Sequence, residues 1–586
     1  MSDAQLSAAR QKLAAGDEAV TLLHQQIMEL ADSCVKVETP VEYRHDASGR
    51  RILQRSREAM LRIGACAYAY RFTGEKSYLQ HALFDLETVC AFPDWNTKHF
   101  LDPCEMATAV AIGYDWLYDA IPVELKAKCE KAVREFAVIP ALAPHQFYIM
   151  TNNWNQVCNS GLVMASLSVL GPEDPMTKEI IERAVETNSS AMDTGYYPDG
   201  NYPEGPVYWA YGTMYEVLML TAMEDILGTD FGLAASTPGF ERTALLQTFT
   251  VGTTGMAFNY ADNASAPMPA TPLWYFAWKQ GRRDFLEHEI ALLKKKQYTG
   301  RENIRFIPLL MSWAARMPSE SSAPAVREKF FSGNGITPVA MVHTDWTYSP
   351  SDRFLGIKAG QAGSVHAHMD AGSFVYDAHG YRWAMDMDRQ PYAGSEVRVQ
   401  EAGGSLWEMD QESLRWRFFR YNNHQHNTLT VNDKDHFVGG FAKIVHTCPE
   451  GAKLGAVLDM TAVFGGDLKQ SRRGVFVVDE DYLEVTDTLA APSDRSASVR
   501  WTLVTPAKVN VKRNCILLTQ GGVTLKLHAS SPKRVKISYK QWSSDPKDYD
   551  YIFSDFDTPI PGTSICGFEL TVPAGETVIL STTLKK

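Results

Sequence analysis

The hydrophobic period of this chain changes once, near residue 320, and that change limits what it can fold into. Before it, apolar residues recur three and four apart; after it they alternate. "SREAMLRIGACAYAYRFTGEKSYLQHALFDLETVCAF" reads as two helices broken at Thr73-Gly74. "CEMATAVAIGYDWLYDAI" and "PVELKAKCEKAVREFAVIPAL" form another pair, with Pro122 expected in the first helical turn. Further pairs follow through "PVYWAYGTMYEVLMLTAMEDILG". Successive helical hairpins with short connections predict a solenoid or a toroid of paired helices. "MPSESSAPAVREK" (317–329), rich in Pro, Ser and Ala, is the expected linker. Beyond it, short β-branched runs such as "RFLGIKAGQ", "GVFVVDEDYLEVTDTL" and "SVRWTLVTP" predict an antiparallel β-sandwich. The expectation is therefore multidomain α+β: an (α/α) helical domain over 1–316, a linker over 317–329, and a β-sandwich over 330–586.

Composition narrows the partners. The 586 residues carry a formal charge of −12, from 57 basic and 69 acidic side chains, which excludes a general nucleic-acid binder. An anionic substrate must meet a local basic pocket instead. No run approaches the roughly 18 apolar residues of a membrane span, so a membrane partner is not expected. "MSDAQLSAARQKLAAGDEAV" lacks the basic and apolar regions of a secretory signal. The expected compartment is cytoplasmic if Met1 is native, and periplasmic or extracellular if a leader was removed. The nine cysteines are scattered without disulfide or metal spacing, and Cys66, Cys90, Cys129 and Cys158 read as small buried apolar residues. Oligomeric state is left open.

Three stretches carry chemistry. "TNNWNQVCNSG" (151–161) places Asn152, Asn153, Asn155 and Asn159 at the entry of an apolar helix. One caps the helix; another amide can hold a carboxylate without adding charge. "YYPDGNYPEGPVYWAYGTMY" (196–215) puts Pro206 at a helix start and Tyr208, Tyr211 and Tyr215 on one face. Tyr208 falls in the first turn, where the helix dipole favours a phenolate, so it suits an acid or a base. "GSVHAHMDAGSF" (363–374) alternates His366, His368 and Asp370, the spacing of one strand face. With Asp386 and His426 downstream, the set suits a divalent metal such as zinc, which takes nitrogen and oxygen ligands.

Taken in order, "HFLDPCEMATAVAIGYDWLYD", "NNWNQVCNSG", "DGNYPEGPVYWAYGT", "VHAHMDAGSFVYDAHGYRWAMDMD" and "HNTLTVND" resemble the heparinase II/III-like polysaccharide lyases and the related oligo-alginate lyases. The resemblance covers roughly residues 90–432. It implies an (α/α) toroid followed by an antiparallel β-sandwich, with the active site in the cleft between them. It also implies β-elimination at a uronic acid of a glycosaminoglycan or alginate type of glycan, giving an unsaturated uronide. By that resemblance Asn153 looks like the residue that neutralises the uronate, with Asn152 and Asn155 as competitors. Tyr208 looks like the catalytic tyrosine, and His366 like the second catalytic residue. His368, Asp386 and His426 match the family's zinc ligands, usually structural, with Asp388 a rival to Asp386. Asp370 is expected to hydrogen-bond near the metal. Glu204, Arg415 and Arg420 are expected substrate contacts, and Arg417 is a further arginine of the same run. No organic cofactor is expected.

Two other readings compete. A glycoside hydrolase on a toroid would need two facing carboxylates, for which Asp199 and Glu204 are available. A non-catalytic carbohydrate-binding relative would keep the fold and lose turnover.

Overall fold

The computed structural model describes residues 1–298, 303–324 and 327–586. The chain forms two compact units. The first comprises 1–197, 208–244 and 268–324; the second comprises 198–207, 245–267 and 325–586. Two short excursions of the N-terminal half, 198–207 and 245–267, pack with the C-terminal unit. Residues 325 and 326 of the expected linker lie outside the described residues.

The first unit is built from helical hairpins. Leu53–Thr73 and Lys76–Cys90 are the first clear pair, separated by Gly74 in the left-handed conformation (φ 79°). Pro122 precedes Val123–Val133 as its N-cap, one position earlier than expected. Leu101–Trp116 is buried on every side except at Asp115. A helix apolar all round must be enclosed by others, and this one packs between Leu53–Thr73 and Asn153–Ala165. Its outer neighbours Lys76–Cys90 and Val123–Val133 keep one wet face. Trp313 of Ile307–Arg316 donates to Thr221 Oγ1 of Pro206–Leu227 at 3.1 Å. The first helix, Asp3–Ala14, also lies on Ile307–Arg316, so first and last helices meet and the hairpins form a ring.

A polar network inside this ring explains most of the amide-rich motif. Asn155 donates to the carbonyls of Phe147, Tyr148 and Thr187, and accepts from Asn159 at 2.9 Å and Asn188 at 3.3 Å. Asn188 donates to Glu216 at 2.9 Å. Buried polar groups require such partners. Burial pushes the Glu216 carboxyl up to about 7 despite the Asn188 hydrogen bond. Its folded pKa therefore exceeds its ordinary value, 4.5. Stability from this group is full below about 4.5 and falls as pH rises through about 7. At roughly 1.4 kcal/mol per pKa unit, the loss is about 3 kcal/mol. Urea midpoints of the helical unit should decline between pH 5 and 8 in wild type and flatten in Glu216→Gln; parallel profiles would refute the assignment.

The second unit contains three antiparallel sheets. A five-stranded meander runs in chain order from Phe330–Gly333 to Tyr381–Ala384. An eight-stranded sheet has Gln470–Val478, Tyr482–Ala490 and Thr577–Lys585 at its middle. A four-stranded sheet orders Ser538–Trp542, Ser564–Val572, Ala497–Thr505 and Leu429–Val431. Inward residues of all three, including Tyr376, Trp383, Leu458, Val475, Trp501 and Phe568, form one continuous core. This is the layered sandwich that the alternation predicts. No helix of the described residues is long and apolar enough to cross a membrane.

Candidate active site

In the helical unit, Asn152 caps the helix Asn153–Ala165, its side chain accepting from the Trp154 N–H at 3.1 Å. Asn155 is fully buried in the network described above. Asn153 is the first residue of the helix and is 2% exposed. Tyr208 is the third residue of Pro206–Leu227 and is half-buried, as is Tyr211, whereas Tyr215 is buried. The Tyr211 hydroxyl donates to Glu105 at 2.7 Å, and burial pushes the Tyr211 and Tyr215 phenols well above their ordinary range. Those two are structural, and Tyr208 is the phenol of that face with exposure in the first turn.

In the second unit, "GSVHAHMDAGS" is not a strand. Residues 363–373 form turns and bends, and the strand Phe374–Ala378 begins only after them. His366 adopts a positive φ of 61°, an uncommon backbone state for a residue with a side chain. The loop gives His366 and His368 different partners, Glu204 and Asp262, where a pleat would have set both on one face. His366 Nδ1 lies 2.9 Å from Glu204 Oε2, and Glu204 Oε1 accepts from the Tyr202 hydroxyl at 3.4 Å. The expected substrate contact Glu204 thus faces a histidine. Gly205 follows with φ +88°, and a side chain there would meet the Tyr260 carbonyl at 2.6 Å; glycine is required for the chain to pass so close. The His366 ring has two half-buried aromatic neighbours, Tyr392 at 6.5 Å and Trp407 at 5.6 Å, which the sequence reading missed.

Asp199, the other carboxylate of the hydrolase reading, accepts from the Asn334 backbone N–H at 2.9 Å and from its side-chain amide at 2.9 Å. With Asp199 tied to Asn334 and Glu204 to His366, the two carboxylates have separate structural partners.

His368, Asp386 and His426 are brought together, with candidate ligand atoms all within 4.8 Å of one another. All three are buried. His426 Nδ1 lies 3.0 Å from Asp386 Oδ1, while its Nε2 has no hydrogen-bond partner. Burial disfavours a charged His426, yet Asp386 pushes its pKa up, so the group favours a positive charge there. Two imidazoles, a carboxylate and an orphaned ring nitrogen fit a zinc ion. Asp388 is not in this group; its Oδ1 accepts from the Ser265 N–H at 2.7 Å. Asp370 is paired with Lys358 in a buried ion pair.

Behind the ligands lies Asp262, from the 245–267 excursion, which the sequence reading did not find. Its Oδ1 accepts from His368 Nε2 at 3.0 Å and pairs with Arg415 Nη2 at 2.8 Å, and its Oδ2 accepts from the Tyr392 hydroxyl at 2.9 Å. A carboxylate on one imidazole nitrogen orients the other toward a metal. Burial works to raise the Asp262 carboxyl, but Arg415 and His368 override it and hold it well below the carboxylate range. Arg415 also donates to the Ala367 carbonyl at 3.1 Å, between the two histidines. It is fully buried and fixes the loop. Arg420 is likewise buried, donating to the carbonyls of Asp388, Arg389 and Thr558. Arg417 is more open, beside Asp435 at 3.3 Å.

The heparinase II/III-like C-terminal family matches residues 342–554, a span that includes His366 and all three candidate ligands. Over those residues the chain is similar to the heparinase II/III-like C-terminal domain. The resemblance read from its motifs is thereby borne out. Among solved structures, a heparinase III aligns with 99% of this chain and 91% of its own, at 13% identity and a TM-score of 0.60. The heparan sulfate lyase HepC from Pedobacter heparinus aligns with 99% of this chain and 90% of its own, at 12% identity and a TM-score of 0.60. A second heparinase III structure covers 96% of this chain and 84% of its own, at 14% identity and a TM-score of 0.57. These likenesses show the fold of heparinase III, toroid and sandwich, along the chain. No curated protein matches the sequence.

Proposed function

We propose that the protein is a polysaccharide lyase that cleaves a uronic-acid glycan by β-elimination. The observation that carries this reading is the pairing of His366 with Glu204 at 2.9 Å. Glu204 stands four residues ahead of Tyr208 in the segment that opens the tyrosine's helix. A carboxylate this close to Nδ1 favours the tautomer with its proton there and the basic lone pair on Nε2.

The reaction explains the residue types. The C5 proton of a uronate is barely acidic, because its loss adds charge to an existing anion. The Asn153 amide binds the carboxylate and disperses that charge. His366 Nε2 or the Tyr208 phenolate takes the C5 proton. The C–H electron pair forms the C4=C5 double bond, the C4–O4 bond breaks, and Tyr208 delivers a proton to O4. Tyr392 and Trp407 offer apolar ring surface to the sugar beside His366. The neighbours named heparinase III and heparan sulfate lyase share the fold, and their names agree with an anionic glycan as the substrate class.

The test is ultraviolet absorbance of the conjugated double bond during incubation with a panel of glycosaminoglycan and alginate substrates. A rise with one substrate class supports the lyase. New reducing ends without absorbance would replace it with a hydrolase.

His368, Asp386 and His426 would hold a zinc ion, whose part is to cross-link the loop of His366 to the strand region of Asp386 and His426. We expect close to one equivalent of zinc per chain by elemental analysis. His426→Ala should lose it and melt at lower temperature. Full zinc retention in that variant would refute the assignment.

A further inference from the structure

Away from the histidine loop, the second unit has a groove of about 660 Å³ on the four-stranded sheet. That volume falls within the roughly 300–1,000 Å³ of small-molecule sites. Its floor is the outward face of Ala497–Thr505 and Ser564–Val572, and its wall is the basic stretch "PKRVK" (532–536). Arg500, Lys533, Arg534 and Lys536 line it, together with Trp542.

The charges do not cancel. Of the lining carboxylates, Glu576 lies 3.5 Å from Lys533, Glu569 pairs with Lys540 outside the groove, and Asp433 sits 3.8 Å from His424. Arg534 and Lys536 are exposed and have no carboxylate partner among the described residues. Arg500 is anchored by donating to the His424 carbonyl at 2.9 Å and to Thr502 Oγ1 at 3.1 Å. Its guanidinium lies 3.9 Å from the Trp542 ring centroid and holds that ring in place. In a chain of net charge −12, two uncompensated cations beside an anchored indole are a local inversion of the overall field.

We propose that this groove is a second, non-catalytic site for an anionic glycan. Arg534 and Lys536 meet carboxylate or sulfate groups, and Trp542 carries the apolar face of a sugar ring. The choice of a uronate glycan as occupant rests on the lyase reading; the charge and the ring stand without it. Such a site would keep a polymer on the enzyme between cuts by raising its effective concentration.

The experiment is affinity electrophoresis of the full chain through gels containing heparan sulfate, hyaluronan, alginate or dextran sulfate. A Tyr208→Phe background keeps the polymer intact. Exposed charge pairs are each worth up to about 1 kcal/mol, so Arg534→Ser/Lys536→Ser should weaken retention roughly 3- to 10-fold on the uronate polymers. In the wild-type background the same pair of changes should leave tetrasaccharide turnover unaltered. Unchanged retention, or no retention of the parent chain on any uronate polymer, would overturn the site. An equal loss on dextran sulfate, a sulfated glycan without uronate, would overturn the choice of a uronate glycan as the occupant. Retention is read without turnover, so a chain that binds through this groove but yields no unsaturated product would sink the lyase reading alone.

Discussion

Tyr208→Phe should reduce the rate of unsaturated-product formation by roughly 100-fold or more, the usual contribution of a positioned general acid or base. The substitution removes one oxygen from a half-buried side chain at the start of Pro206–Leu227, so melting temperature and far-ultraviolet dichroism should stay at wild-type values. If the hydroxyl acts on the departing O4, kcat and kcat/KM fall together, since its interaction strengthens only as the bond breaks. Tyr211→Phe is the informative control. Tyr211 shares the helix face but donates to Glu105, a buried carboxylate held low by Arg305 and Arg57 against the effect of its burial. Its loss should cost stability, on the order of 1 kcal/mol for one hydrogen bond, and spare the rate. A Tyr208→Phe enzyme within a fewfold of wild type would remove the tyrosine from the reaction and leave His366 to be tested as both base and acid.

The architecture was legible because it rests on period. A ring of hairpins and a sandwich differ in the spacing of every apolar residue, and Gly74 and Pro206 stand at the helix boundaries where their backbone chemistry predicts. The grouping of His368, Asp386 and His426 follows the family resemblance. Alternation misled at residues 363–373, where small and polar residues form turns, and a positive φ at His366 replaces the pleat. The surroundings of Arg415 and Arg420 were not legible, because sequence does not reveal which guanidinium is enclosed by carbonyls. Amide density at 152–159 mixed a cap, a network residue and Asn153, which only burial and partners separate. The contact of Glu204 with His366 was not legible, since the two lie more than 150 positions apart. Asp262 was not found at all. "NYADNASAP" has no period to betray it, and its partners His368 and Arg415 are over 100 residues downstream.

Asp262 nevertheless carries the second large effect. It is fully enclosed and binds three groups at once: His368, Arg415 and the Tyr392 hydroxyl. Removing one partner of a buried ion pair leaves the other charged and desolvated, at a cost of about 3–5 kcal/mol. Asp262→Ala should lower the stability of the sandwich unit by that amount in urea, whereas Asp199→Ala, whose partner Asn334 is uncharged and exposed, should cost about 1 kcal/mol. Asp262→Asn separates shape from charge: its carbonyl oxygen can still accept from one donor, but Arg415 loses its counter-ion. It should therefore fall between wild type and alanine. The ligand shell adds a second readout. With the His368 tautomer no longer fixed, zinc affinity should weaken about 10- to 100-fold, measured by competition with a chelator. A stability change below about 1 kcal/mol with unaltered zinc binding would show that the 245–267 excursion does not brace the histidine loop. The expected result would make Asp262 the residue through which both the metal and His366 are held, because the arginine it neutralises is the one that clamps the Ala367 carbonyl between the two histidines.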